Sequence, residues 1–500
     1  MDLTRLFILI ALSLSAALFA RWRNWALLAL SVFVLFWLQP GTPIRNLSFW
    51  FPVASLVLAG LVWVWTRTDP STPSTPSAGQ AGRVRSFPVG WMTGATLKTV
   101  AVIGSIVLVM GLLRYVELPI SILAARPPDI ISIIIALVIA IALPLLASRP
   151  TLNALRPSPP APRLTLIIAA FIVLFVLLKF DLTALAISMG LRGLNGQAVA
   201  QASALDLRWL GFSYIAFRLI HVLREKQNGK LPEMSLQEFM IYVIFFPAIS
   251  AGPIDRSDRF LKDLRAPYKL TSDMAYDAGR RVIVGIFKKY ALADTLALIA
   301  LNEINAAQIR SGATPWAWLL VYAYALRIYF DFSGYTDIAT GLGRWFGIKL
   351  PENFNAPYLK PNLTQFWNSW HMSLSQWFRA YWFNPLTRAL RKLPSPTGGD
   401  GGWSQAQIVF VGQASTMLLI ALWHGITLNF VVWGVWHALG LFVHNRWAEF
   451  AKAHDLSRFA RVGHLLGPVL TFHYVALGWV WFALPTLGLS IQTFMRMVGR

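Results

Sequence analysis

The sequence of 500 residues contains no cysteine. This absence excludes disulfide bonds, a thiolate nucleophile, thiolate metal ligands and a covalent thioester on the chain itself. Several catalytic motifs are also missing: the sequence has no P-loop, no H-E-x-x-H zinc motif and no G-x-S-x-G nucleophile elbow. Any catalysis by this chain must therefore use side chains other than cysteine and a site unlike these three motifs.

Charged residues are scarce. They make up 13% of the chain, whereas hydrophobic residues make up 56%, and the mean hydropathy is +0.55. A soluble domain carries about 25% charged residues, so this chain could not cover a water-facing surface. The same figures exclude intrinsic disorder and a collagen-like repeat. The composition indicates a protein that lies in a lipid bilayer.

Apolar runs close to spanning length repeat through the first half of the chain. A spanning helix needs about 20 mostly apolar residues. The runs occupy residues 5–20, 25–38, 48–66, 97–113, 129–147, 164–180 and 206–223. Only four residues separate the first two, which favours a tight helical hairpin over the alternative of a signal peptide.

The loops between these runs alternate in charge. One set of alternate loops holds 12 Lys and Arg residues and the other set holds 4. The positive-inside rule places the richer set in the cytoplasm, so we expect the N-terminus outside a bacterial cytoplasmic (inner) membrane. The net charge of +22 then describes orientation, and a nucleic-acid partner is not expected.

Two loops have the composition of linkers. Residues 68–86 are rich in Pro, Ser and Thr and are expected to be disordered, and residues 149–163 contain five prolines.

From about residue 236 the apolar runs are interrupted. Pro247 and the pair Gly252–Pro253 predict a broken or re-entrant segment, which a membrane tolerates only where it is buried in protein or lines a cavity. Residues 343–403 are polar and aromatic, and clean spans return at 405–422, 428–444 and 465–484. We therefore predict an all-α polytopic membrane protein with about 11–13 membrane segments.

Two of the eight histidines stand out by context. His371 and His424 each follow a tryptophan, Trp370 and Trp423, and His424 precedes Gly425, where another group can approach the backbone. Titratable groups at membrane depth point to function, although a locally satisfied histidine is the ordinary alternative. Further zinc ligands are not evident, so no metal site is expected.

The remaining histidines are expected to have structural roles. His454 and His464 lie among charged residues typical of loops, and His437, His444 and His473 lie in apolar helices. His221 falls near a cytoplasmic helix end, where a cation suits the helix dipole.

Asp331 and Asp337 are also predicted to lie beside an apolar helix. Arg327 stands four residues before Asp331, so one helix face could hold an ion pair. Either a structural pair or the binding of a polar substrate group would explain these charges.

Three blocks resemble the bacterial branch of the membrane-bound O-acyltransferases, which includes the teichoic acid D-alanine transfer protein and the alginate O-acetylation membrane protein. They read FFPAISAGPIDRSDRF at 245–260, IYFDFSGYTDIATGLGRWFGIKLPENFNAPY at 328–358 with FWNSWHMSLSQWFR at 366–379, and LWHGITLNFVVWGVWHALGL at 422–441. The resemblance covers about residues 205–484. It divides the chain into N-terminal helices (1–204), an acyltransferase core (205–484) and a C-terminal tail (485–500).

The resemblance implies a helical bowl with a central tunnel, in which a cytoplasmic thioester meets an acceptor from outside. The two signature histidines of the family match His371 and His424, and His424 corresponds to the catalytic one. We expect the other tunnel residues to be Trp370, Trp423, Asp331, Tyr335 and Asn355.

Two segments depart from the family pattern. Ala380 stands where many members have Asp, and Asn368–Ser369 stand where many have Arg. Both departures concern the cytoplasmic mouth and the docking of a carrier more than the chemistry.

The expected reaction is the transfer of an acetyl or D-alanyl group to a hydroxyl of an extracellular polymer or glycan. His424 would act as general base, and His371 would orient or polarise the thioester. The donor would be acyl-CoA or a phosphopantetheinyl carrier protein, with no permanently bound cofactor. The acceptor would be a glycan or teichoic acid. The alternative is an acyl transporter or flippase that serves an extracellular partner transferase.

Overall fold

The computed structural model describes residues 3–67, 93–117, 122–147, 160–310, 312–394, 402–455 and 460–500. These residues form helices and no β-strand, which confirms the predicted all-α class. The predicted linker at 68–86 and most of the proline-rich loop at 149–163 lie outside the described residues.

The chain divides into two compact units, which are described separately. The first unit comprises Met1–Tyr276 and Leu342–Leu350. Its helices are α1 Leu3–Ala17, α2 Arg23–Trp37, α3 Leu47–Thr66, α4 Gly94–Leu112, α5 Ile130–Ala147, α6 Pro160–Lys179, α7 Asp181–Leu194, α8 Phe212–Gln227, α9 Leu236–Val243 and α10 Ser257–Arg265.

The second unit comprises Asp277–Gly341 and Pro351–Arg500. Its helices are α11 Ser272–Ile286, α12 Asp294–Ala297, α13 Glu303–Gln308, α14 Thr314–Trp345, α15 Leu363–Trp367, α16 Met372–Phe378, α17 Asn384–Leu390, α18 Gln405–His424, α19 Leu428–Ala453, α20 Ala460–Ala483 and α21 Leu487–Met497. One end of α11 and one end of α14 belong to the residue ranges of the first unit. The division of the chain at residues 204 and 484 stays a prediction. The expected tail contains α21.

Four helices are long and apolar enough to cross a membrane: Leu47–Thr66, Gly94–Tyr115, Gln405–His424 and Leu465–Ala483. Two bent helix pairs bring the number of candidate spans to as many as six among the described residues. The predicted total of 11–13 segments also included shorter helices, and it stays a prediction.

The bent pairs correct one detail of the sequence analysis. Leu3–Ala17 and Ala20–Trp37 meet at a corner bent by 102°, whereas the sequence predicted a tight helical hairpin. The second pair, Arg163–Lys179 and Asp181–Leu194, is bent by 84°. Each pair is therefore a broken span or a re-entrant segment.

The predicted broken segment near Pro247 is confirmed. Helix α9 ends at Val243, and a short 3₁₀ turn follows at Phe246–Ala248. The buried guanidinium of Arg218 donates to the backbone carbonyls of Val243 at 2.8 Å and Ala248 at 2.9 Å. These carbonyls are satisfied by a side chain where the helix is interrupted, as buried irregular backbone requires.

Candidate functional site

A turn in the second unit holds His371 in an unusual conformation. His371 immediately precedes α16 and has φ 43° and ψ 52°, in the left-handed region. A residue with a Cβ is uncommon there, and such strain persists only where the surroundings fix it. Asn353 supplies that support. Its carbonyl accepts from the backbone N–H of Met372 at 3.0 Å, and its side-chain oxygen accepts from that of Ser373 at 3.1 Å.

Aromatic rings enclose the His371 side chain, which is 3% exposed. The ring of Phe332 meets it edge-on with a centroid separation of 4.7 Å. Trp423 lies on another side, with its ring centroid 6.0 Å from that of His371. Nε2 of His371 is buried and has no hydrogen-bond partner among the described residues. A buried polar atom of this kind is suited to a substrate group.

His424 is the last residue of α18, and its ring lies beside Trp423. The centroids of these two rings are 4.5 Å apart. Trp423 therefore contacts both histidines, although 53 residues separate them in sequence. Phe482 and Trp433 also lie beside His424, at centroid distances of 4.8 Å and 5.8 Å.

Gly425 has no side chain, and this leaves space for the ring of Phe430 beside His424. A Cβ at Gly425 would lie 2.6 Å from the ring of Phe430, which is too close for a normal contact. The Phe430 ring stacks against His424 with a centroid distance of 6.1 Å. The close approach expected at this glycine is therefore present.

Burial lowers the pKa of His371 well below its usual range, and the neighbouring His424 lowers this pKa further. The His371 imidazole is consequently neutral near pH 7. A neutral imidazole has one donor and one acceptor nitrogen, so it can bind or polarise an oxygen or sulfur of a substrate.

Asp331 and Asp337 form ion pairs with cations from a preceding segment. Asp331 pairs with Lys289, so the predicted pair with Arg327 is wrong. Asp337 pairs with Lys288 at 2.7 Å and with Arg281 at 3.0 Å. Lys288 and Lys289 belong to the π-helical turn Phe287–Ala293, and such turns occur often at functional sites.

Two glycines allow α11 and α14 to approach closely enough for these pairs. A Cβ at Gly285 would lie 2.6 Å from the backbone oxygen of Gly334, and a Cβ at Gly334 would lie 2.7 Å from that of Gly285. Backbone therefore contacts backbone at this crossing. The contact explains the glycine in the DFSGYTD motif.

We expect Gly334→Ala to lower the free energy of unfolding by about 1–3 kcal/mol, because the added methyl group overpacks the helix crossing. The matched control is Gly488→Ala, since a Cβ there meets nothing within 4 Å. In the control, the better helix propensity of alanine should be neutral or stabilising. Tryptophan fluorescence during thermal unfolding measures both variants. An equal change in the free energy of unfolding in both variants would contradict the close packing of the helices at Gly334.

The other predicted tunnel residues occupy different environments. Trp370 is buried and contacts Phe354, which also contacts Phe332 beside His371. Asn355 is exposed, and its backbone N–H donates to the Ser369 carbonyl at 3.0 Å. Tyr335 follows Asp331 by one turn of α14.

The positions that depart from the family pattern lie in one neighbourhood. The guanidinium of Arg379 donates to the side-chain oxygen of Asn368 at 2.6 Å, and Ala380 is the next residue. The polar group at 368 therefore has a partner inside the chain.

His221 is not the helix-end cation that the sequence suggested. It is buried, and its Nε2 accepts from the backbone N–H of Ser257 at 3.1 Å. An accepting nitrogen carries no proton, so this imidazole is neutral. His437 is buried among Trp367 and Trp433, with centroid distances of 5.1 Å and 4.9 Å, as a core residue would be.

Asn353, Phe332 and Lys289 were not predicted from the sequence. Lys288 and Lys289 could have been noticed, because two adjacent lysines interrupt an apolar stretch. Asn353 lay inside a recognised block but had no chemical signal of its own. In the described part of the chain, no three His, Asp or Glu side chains come together as a metal ion would need.

The all-helical fold agrees with the comparison to known families. The sequence model of the membrane-bound O-acyltransferase family, MBOAT, matches residues 164–485. The chain therefore belongs to the membrane-bound O-acyltransferase family, and the class of its reaction is O-acyl transfer.

The names of the chain's relatives refer to different polymers. The chain is 31% identical over 282 residues to the teichoic acid D-alanyltransferase of Bacillus subtilis, covering 55% of this chain and 69% of the relative. It is 33% identical over 294 residues to the probable alginate O-acetylase AlgI of Pseudomonas aeruginosa, covering 58% and 51%. It is 30% identical over 266 residues to the peptidoglycan O-acetyltransferase of Helicobacter pylori, covering 52% and 46%. The chain thus spans about half the length of the latter two.

Proposed function

We propose that this protein transfers an acetyl or D-alanyl group from a cytoplasmic thioester to a hydroxyl of an extracellular polymer or glycan. The observation that carries the proposal is the contact of Trp423 with both His371 and His424. This contact joins the two signature positions of the family in one aromatic environment. The named relatives acylate teichoic acid, alginate or peptidoglycan, which supports a polymer of the cell envelope as acceptor.

In the proposed reaction His424 acts as general base. It takes the proton from the acceptor hydroxyl while the oxygen attacks the thioester carbonyl. The carbon–oxygen bond forms, the carbon–sulfur bond breaks, and the proton passes to the departing thiolate. Because the chain has no cysteine, direct transfer is simpler than a covalent intermediate on the enzyme.

His371 has a separate role in this proposal. Its unpartnered Nε2 is buried, so it can donate a hydrogen bond to the thioester carbonyl when that nitrogen carries the proton. A donor aimed at an oxygen that gains negative charge stabilises the transition state, most strongly where water is excluded. His371 would therefore polarise the donor while His424 activates the acceptor.

The proposal places the two substrates on opposite sides of the bacterial cytoplasmic membrane, with the N-terminus outside. The loop charges support this orientation. The donor is acyl-CoA or a phosphopantetheinyl carrier protein, and a tunnel would let it meet the acceptor.

Reconstitution tests the proposal and the transporter alternative together. The full chain is placed in vesicles with labelled acetyl-CoA, or with a D-alanyl carrier protein, on the side that corresponds to the cytoplasm. A soluble glycan or teichoic acid fragment is placed on the other side. We expect labelled ester on the fragment with no second protein present, and none in vesicles without the chain. Labelled acyl groups that cross the membrane without ester formation would favour the transporter and contradict the proposal.

A further inference from the structure

A cavity of about 400 Å³ lies within the first unit. Residues of the end of α3, the start of α4 and the segment leading into α9 line it. Three basic side chains are part of its wall: Arg67, Lys226 and Arg265. The acyl-transfer proposal uses none of these residues.

The cavity lies at the level where two candidate spans end. Helix α3 ends at Thr66, directly before Arg67, and α4 begins directly after Thr93. Both helices are apolar and long enough to cross a membrane, so their ends lie close to the lipid headgroups. Trp63 also lines the cavity, and tryptophan is enriched at this depth.

Two helix N-termini and a side-chain amide border the same space. The first residues of α4 and α9 line the cavity, and the helices are capped by Thr93 and Ser235, which accept from Thr96 N at 3.2 Å and Glu238 N at 3.3 Å. Each cap occupies one N–H group, and the positive end of each helix dipole still favours an anion. In addition, Nε2 of Gln237, a lining residue, is buried and lacks a hydrogen-bond partner among the described residues.

The charges around the cavity leave a positive excess. Arg265 is paired with Glu238 at 2.7 Å, which offsets its charge. Glu233 offsets part of the charge of Lys226. The guanidinium of Arg67 lies over the ring of Trp63, 4.8 Å from its centroid, and forms no ion pair within the described residues. A ligand with one or two negative charges would neutralise the remaining positive charge.

We propose that the cavity binds the phosphate group of an anionic phospholipid in the adjacent leaflet. Basic pockets between membrane helices recognise anionic headgroups, and this one adds two helix N-termini and a buried amide donor. Exposed apolar side chains of α4, such as Leu97 and Val109, provide a surface along which the acyl chains can lie. Because lipid retention needs no acyl donor or acceptor, its test is independent of the proposed acyl transfer.

The test uses the full chain in mixed micelles of phosphatidylglycerol and phosphatidylcholine, with retained lipid counted by native mass spectrometry. The variant is Arg67→Gln/Lys226→Gln. The control, Lys98→Gln/Lys230→Gln, removes two charges from exposed positions outside the cavity wall. We expect one phosphatidylglycerol per wild-type chain. The cavity variant should weaken its retention by about 30-fold, whereas the control should retain it.

A second variant, Gln237→Leu, keeps the charges and removes only the buried donor. It should also weaken retention, and it decides the question if the double variant does not fold. The proposal would be wrong if the control variant lost as much phosphatidylglycerol as the cavity variant. It would also be wrong if the wild-type chain retained as much phosphatidylcholine as phosphatidylglycerol. The ligand would be free phosphate and not a phospholipid if the chain retained no lipid but inorganic phosphate raised its unfolding temperature, and if that rise required Arg67.

Discussion

His424→Gln is expected to reduce acyl transfer by about 10²- to 10⁴-fold, because it removes the proposed general base. Glutamine has a similar reach and can form hydrogen bonds, but it cannot take a proton at neutral pH. The aromatic surroundings of Phe482, Phe430 and Trp433 should still hold a side chain of this size, so stability should change little. Reconstituted vesicles with a labelled thioester measure the rate of ester formation.

His437→Gln is the matched control, since His437 is buried in the same unit and contacts Trp433. It should alter the free energy of unfolding more than the chemistry, so its loss of activity should follow its loss of folded protein. A transporter would tolerate His424→Gln, because no proton transfer is required of it. Near-normal acylation by the His424 variant would therefore contradict both the base and the enzyme mechanism.

His371→Gly and His371→Ala are expected to lower activity equally, by about 10²-fold, because both remove the group that polarises the donor. The two variants should differ in stability. Glycine adopts the left-handed conformation of residue 371 freely, whereas alanine retains a cost of about 1–2 kcal/mol. Thermal unfolding and ester formation, measured on the same preparations, separate the backbone effect from the imidazole effect.

This pair of variants distinguishes a positioning role from a purely structural one. If His371 only filled the turn before α16, the glycine variant would keep its activity, because the turn supported by Asn353 would still form. A glycine variant that is both folded and active would refute a role for the imidazole.

The sequence predicted what depends on local composition. Apolar runs located the long helices, since residues that follow one another in a span share the same solvent. Pro247 and Gly252 located the broken segment near α9 because both residues act on their own backbone. The motif context also singled out His371 and His424, which the structure places in contact with the same residue, Trp423.

Contacts whose partners come from different helices could not be predicted from the sequence. Asp331 pairs with Lys289 across the Gly285–Gly334 crossing, and no spacing along α14 contains that information. The helix-end position of His221 suggested a cation, yet burial against Ser257 keeps its ring neutral. In both cases tertiary packing determined the partner.

The buried Nε2 of His371 has a consequence for the position of a proton. The two nitrogens of an imidazole are distinct, and a fixed hydrogen-bond neighbour normally decides the tautomer. Within the described residues His371 has no such neighbour at Nε2. The arriving acyl donor would therefore select the tautomer, and ¹⁵N resonances of this ring should respond to donor binding at constant pH.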